Sequence, residues 1–184
     1  MNFNAILCRT NAGVVEVAIR EHEAGKIVAV IITGGLESLR KFAQAADDLM
    51  QGQRTDHSEL VAFKDWAEVV AYVGTDEGVD LRPMVRLIEK YGTEAVFGVC
   101  ANSLDEKRRH EADVQVCTAH KSKGLEFDRV LIHNDFQPPK DGGIVPPDTL
   151  RLLYVAVTRA RLLLDASAIA WAINPQPVEI EVAA

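Results

Sequence analysis

Apolar positions along the chain alternate between runs and stripes. Ala5-Ile6-Leu7-Cys8 is a short continuous run that breaks into the polar turn Arg9-Thr10-Asn11-Ala12-Gly13, after which Val14 to Ala24 has helical apolar spacing. The run KIVAVII, Lys26 to Ile32, is stopped by Thr33-Gly34-Gly35 and has the continuous β-branched character of a strand buried on both faces. Together these predict β-α-β. From Leu36 to about Arg109 the pattern turns helical, with one stripe at Leu36, Leu39, Ala43, Ala46 and Met50. A second stripe runs through Phe63, Trp66, Ala67, Val70 and Val73, and a third through Met84, Leu87, Ile88 and Tyr91 behind Pro83 in a first turn. Strand-like runs return at Asp113 to Thr118 and Arg129 to His133. A Pro/Gly-rich connector from Gln137 to Gly143 then leads to a helix at about Asp148 to Ala160 and a last strand, Leu162 to Ala166. Strands alternating with helices make an α/β layer fold around a parallel sheet. Residues 175–184 are expected to fray.

Composition narrows the class. With 184 residues, 48% hydrophobic and 26% charged, the chain has an ordinary globular balance and enough length for a core without disulfides. No apolar run reaches a membrane span and no secretory signal opens the chain, so a cytoplasmic or nucleoid-associated protein with no membrane partner is expected. The three cysteines, Cys8, Cys100 and Cys117, contain no paired spacing, which suits a reducing compartment. His22, His57, His110 and His133 show no ligand spacing with one another or with cysteine, so no metal site is expected. The formal charge of −7 disfavours binding of nucleic acid through bulk positive charge. Only a local patch remains, at Arg151, Arg159 and Arg161, with no acid between Thr149 and Arg161.

Two segments carry candidate chemistry, both expected where strands of a parallel sheet present their ligand-binding C-terminal ends. In Thr118-Ala119-His120-Lys121-Ser122-Lys123-Gly124-Leu125-Glu126-Phe127 a strand runs into a donor-rich turn. Gly124 there permits close backbone approach, and Glu126 is an acceptor suited to a hydroxyl. A solvated turn with a helix cap explains the same spacing equally well. In the segment from Arg151 to Arg161, helical spacing buries Leu150, Leu153, Tyr154, Ala156, Val157 and Ala160, and Arg159 projects outward. Trp66 and Trp171 read as packing residues, and Lys107-Arg108-Arg109, flanked by acids, as a solvated helix end.

These residues carry a resemblance. TAHKSKGLEFDRV resembles motif V, and LRLLYVAVTRARLLL motif VI, of superfamily 1 DNA helicases of the UvrD/PcrA/Rep class. AILCRTNAG is similar to their motif IV, and the strand ending in Thr33-Gly34-Gly35 to their next conserved stretch. With its compact helical insert and Asp135-Phe136 after motif V, the chain looks closest to the F-box type of DNA helicase. The resemblance implies a RecA-like fold for residues 1–184, the second lobe (2A) of a two-lobed motor. A mainly helical insert at 33–112 would stand where larger members carry domain 2B. It implies Arg159 as the catalytic arginine finger, with Arg9, Gly124 and Glu126 completing the nucleotide contacts, Glu126 on the ribose and Arg9 on the γ-phosphate. Thr118 and His120 would meet single-stranded DNA, with Lys121 and Ser122 as weaker candidates.

The chain also departs from that pattern. Cys8 stands where many relatives place a tyrosine that stacks on adenine, which implies a looser grip on the base. No G-x-x-x-x-G-K-[ST] is present, because the one Gly-Lys pair, Gly25-Lys26, has Arg20 in place of the first glycine and is followed by Ile27. No strand ends in an acidic pair suited to Mg²⁺. ATP with Mg²⁺ is therefore expected only in the complete two-lobed protein, with an N-terminal P-loop lobe as partner, upstream of Met1 or separately encoded. The rival expectation is a catalytically inactive module that binds single-stranded DNA or protein. The retained Arg9, Glu126 and Arg159 weigh against it, because a pure DNA binder has no use for them.

Overall fold

Ala5–Cys8 (β1) is buried at every position, as the middle strand of a sheet covered on both faces must be. The computed structural model describes residues 2–139 and 144–173. In it, β1 pairs with Val114–Thr118 (β3) on one side and Phe127–Ile132 (β4) on the other. Val28–Ile31 (β2) and Ala160–Asp165 (β5) complete a five-stranded sheet of order β2-β3-β1-β4-β5, with every pairing parallel. This is the expected α/β architecture, a RecA-like parallel sheet flanked by helices.

Side-chain alternation along β1 sends Ile6 and Cys8 into one core and Ala5 and Leu7 into the other. The first core is closed by the helices Asn11–Glu23 (α1), Gly35–Met50 (α2), Trp66–Tyr72 (α3) and Arg82–Asn102 (α4). The second is closed by Pro147–Val157 (α5) together with Phe136 and Ile169. Residues 140–143 of the expected connector and the expected frayed tail lie outside the described residues. No helix among the described residues is long and apolar enough to cross a membrane.

Element boundaries move where caps act. Helix α1 begins at Asn11, ahead of the expected Val14, because the Thr10 side chain accepts a hydrogen bond from Gly13 N at 2.9 Å. Asp65 caps α3 in the same way from Glu68 N, so Phe63 stands outside that helix. Its covered face is then Trp66, Val69 and Val73, and Ala67 and Val70 point to solvent. In α2, Leu49 is buried and Met50 is exposed. Gly92, with φ of 78°, turns α4 sharply at mid-length, a conformation glycine adopts without steric cost.

Candidate functional site

Motif V leaves β3 at Thr118 and enters β4 at Phe127, and since those strands are parallel the intervening loop must travel from the C-terminal end of the sheet to its N-terminal end. Helix α5 makes the same return before β5. The candidate residues are therefore divided between two ends. Arg9 follows β1 and stands with Thr118 and His120 at the C-terminal end, where Cys8 is in register with Thr118. Gly124, Glu126 and Arg159 lie at the N-terminal end, where Phe127 is in register with Ala160. The six residues of β4 separate the two groups by about 20 Å at ~3.3 Å per residue. Motif VI is thus not at the C-terminal ends of the strands as the sequence suggests. The connecting α5 reverses the chain direction before Arg159 is reached.

At the N-terminal end, Gly124, Glu126 and Arg159 line one depression of about 510 Å³ with Arg109, Gln115, Leu125 and Phe127. Arg159 does not project freely from a helix. Helix α5 stops at Val157, and the guanidinium folds back so that Nε donates to Val155 O (2.9 Å), Nη1 to Leu125 O (3.0 Å) and Nη2 to Thr158 Oγ1 (2.9 Å). Those three bonds engage three of the five N–H groups an arginine carries, leaving one on each terminal nitrogen. The buried stripe of α5 is Leu152, Leu153 and Ala156, whereas Leu150 and Tyr154 are exposed. The helix rests on the sheet over a narrower face than its apolar content suggests.

Gly124 has φ of 83°, and a Cβ built there meets nothing within 4 Å. Its backbone conformation requires glycine, and no close approach among the described residues does. The Glu126 side chain is exposed. Arg109, expected on a solvated helix end, is half-buried in the 3-10 turn Glu106–Glu111 and reaches the depression. Its neighbour Arg108 is engaged by Glu111, and nothing in the local spacing distinguishes the two. Gln115 Oε1, on the same wall, is buried with no hydrogen-bond partner among the described residues.

At the C-terminal end the DNA candidates differ in exposure. His120 is exposed and Lys121 is half-buried, with Nζ 3.3 Å from Glu106 Oε2. Thr118 is 4% exposed, and its Oγ1 accepts from Lys121 N. Ser122 is wholly buried and its hydroxyl donates to Ala119 O at 2.8 Å, so the turn itself consumes the group the sequence offers to DNA.

A feature absent from the sequence expectations lies beside Arg9. The Asp135 carboxylate holds the β1–α1 turn, accepting from Arg9 N (2.9 Å), Thr10 N (2.9 Å) and Thr10 Oγ1 (3.0 Å). Burial alone would raise its pKa, but His133 and those backbone donors outweigh burial and hold it below the ordinary carboxylate range. His133 Nδ1 approaches Asp135 Oδ1 at 3.3 Å, in a geometry that makes no hydrogen bond. Cys8 Sγ adjoins both, a proximity that the spacing of His133 and cysteine along the chain does not show. Burial, reinforced by Asp135, pushes the Cys8 thiol well above its ordinary pKa. Burial likewise pushes Cys117 up to about 12.

Comparison with known proteins agrees with this architecture. The family described as UvrD-like helicase C-terminal domain matches residues 33–170. F-box DNA helicase protein 1 of Schizosaccharomyces pombe is 30% identical, covering 88% of this chain and 20% of the relative. F-box DNA helicase 1 of Gallus gallus is 28% identical, covering 86% of this chain and 18% of the relative. The chain spans about a fifth of the length of these curated relatives.

Proposed function

Since this chain belongs to the UvrD-like helicase C-terminal domain family, we propose that it is the second motor lobe of an ATP-driven DNA helicase or translocase, with Arg159 as the arginine finger. One observation carries this reading: Glu126 and the immobilised Arg159 share a single depression, with Arg109 beside them. The donor set fits a phosphorylated nucleoside. Two unengaged guanidinium N–H groups and Arg109 suit phosphate oxygens, and the exposed Glu126 carboxylate suits ribose hydroxyls.

In this reading ATP with Mg²⁺ is held chiefly by a P-loop lobe and supplies the phosphoryl group whose transfer to water drives movement. This chain contributes charge and position. The three anchoring bonds hold the guanidinium before substrate arrives, so its charge needs little reorganisation as negative charge develops on the phosphoryl oxygens. His120 and Lys121, at the opposite end of the motif V loop, are the proposed single-strand contacts of this lobe, with Thr118 shaping the turn that presents them. Arg9 shares that end, about the height of the sheet from Arg159, and so does not complete the Arg159 depression within this lobe.

The test is ATP hydrolysis by the two-lobed protein, this chain joined to a P-loop lobe, with and without Arg159→Ala. Turnover is expected to fall by roughly 10³-fold or more while single-stranded DNA binding survives. Undiminished turnover would refute the assignment.

A further inference from the structure

We propose that Cys8, His133 and Asp135 form a binding site for a divalent transition-metal cation, zinc being the one that best suits the donors. Each residue offers one ligand atom, and these atoms all lie within 4.8 Å of one another. Cys8 ends β1, and His133 and Asp135 follow the parallel neighbour β4, where His133 N donates to Leu7 O at 2.8 Å. The sheet, not the local sequence, assembles the cluster.

A second observation points to a ligand. The His133 side chain is 9% exposed, and its Nδ1 is buried with no hydrogen-bond partner among the described residues, standing 3.3 Å from Asp135 Oδ1 without the alignment a hydrogen bond needs. Buried imidazole nitrogens are ordinarily hydrogen-bonded. Two ligand atoms each ~2.0 Å from a tetrahedral cation stand about 3.3 Å apart, which is the separation found here.

The surroundings suit an ion. Asp135 is already oriented by Arg9 N, Thr10 N and Thr10 Oγ1, the kind of outer bonds that fix a ligating carboxylate. A thiolate and a carboxylate together neutralise a divalent cation, so the filled site carries no net charge in a buried place. On binding, the Cys8 thiol gives its proton to solvent as the Sγ–metal bond forms, neutral His133 donates the Nδ1 lone pair, and no electron is transferred. Thiolate and imidazole select zinc over magnesium or calcium, and three protein ligands leave a fourth position for water. His133 also lines a hollow of about 280 Å³ whose wall carries Glu16, Arg20 and Glu23.

The experiment uses the metal-stripped chain and cobalt(II) as a spectroscopic substitute for zinc. One equivalent is expected to produce visible ligand-field bands of a tetrahedral site and a near-ultraviolet thiolate charge-transfer band, both abolished by added zinc. Cys8→Ser should eliminate the charge-transfer band and Cys100→Ser should retain it. Absence of that band, or its survival in Cys8→Ser, overturns the proposal. If Cys8→Ser fails to fold by circular dichroism, His133→Ala decides the matter. That variant keeps the thiol and should bind cobalt at least roughly tenfold more weakly, and unchanged affinity overturns the proposal.

Discussion

Replacing Gly13 with alanine separates helix propensity from packing. In an ordinary helix interior the change stabilises by about 1 kcal/mol. At Gly13, however, the added Cβ would stand 2.8 Å from Asp135 Cγ, closer still to Oδ2, and 3.3 Å from Cys8 Cβ. Normal contact requires the carboxylate to retreat by roughly 1 Å. Its three bonds to Arg9 N, Thr10 N and Thr10 Oγ1, at 2.9, 2.9 and 3.0 Å, cannot stretch that far and remain hydrogen bonds. Bonds to a charged acceptor contribute about 1.5–3 kcal/mol each, and partial relaxation will retain some of that. After crediting the propensity gain, Gly13→Ala should destabilise by about 2–4 kcal/mol, measured as a lowered urea midpoint at unchanged slope. Gly98→Ala is the control, because a Cβ there meets nothing within 4 Å inside α4, and it should be stabilising. In an Asp135→Ala background the penalty at Gly13 should largely disappear. A Gly13→Ala protein as stable as the parent, or a penalty that persists without Asp135, would refute the reasoning.

Two further outcomes follow from packing and charge. Cys8 and Cys117 are wholly buried and Cys100 is half-buried, so a thiol reagent should modify one cysteine of the folded chain readily and all three only after unfolding; fast reaction in Cys100→Ser would contradict this burial. Glu16 joins α1 to α4 by accepting from Lys90 Nζ (2.8 Å) and Tyr91 OH (2.9 Å), and the Lys90 hydrogen bond is the main cause of its lowered pKa. A depressed carboxylate stabilises the fold above its unfolded pKa of about 4.3, and that contribution is lost as pH falls through the lower folded value. Both side chains are more than a third exposed, so Glu16→Gln should cost less than about 1 kcal/mol at pH 7. The difference from the parent should shrink toward zero in acid, and a gap that widens on acidification would be inconsistent with the pair.

The sheet was legible because its strands are continuous apolar runs bounded by polar turns, and KIVAVII and RVLIH can form little else once buried on both faces. Helix faces were less legible. Leu49 and Met50, or Val69 and Val70, are equally apolar, and which one is covered depends on where the helix starts, at Gly34 for α2 and at Asp65 for α3, and on how the helix lies against its neighbour. The candidate site was readable in its residue types but not in its placement. Glu126 and Arg159 are 33 positions apart and meet only because two parallel connections both return to the N-terminal end of the sheet. The role of Asp135 in holding the β1–α1 turn was invisible for the same reason. A lone acid after a strand carries no local signal, and its role becomes apparent only when β4 lies beside β1.

Ser122 illustrates how the loop between the two ends is built. Its N–H donates to Thr118 O and its hydroxyl to Ala119 O, and its own carbonyl accepts from Leu125 N. Leu125 O in turn accepts from Arg159 Nη1. A continuous series of hydrogen bonds therefore runs from the end of β3, beside His120, to the guanidinium in front of β5. Each bond is made by a group buried or half-buried within the loop, where a missing partner costs more than the bond contributes, so the segment resists partial deformation. Displacing the turn at Thr118 would have to shift Leu125 O, and with it one of the three anchors of Arg159. The loop thereby acts as a strut between the two ends of the sheet. The serine side chain at position 122 adds its own bond to Ala119 O, which occupies the hydroxyl inside the loop.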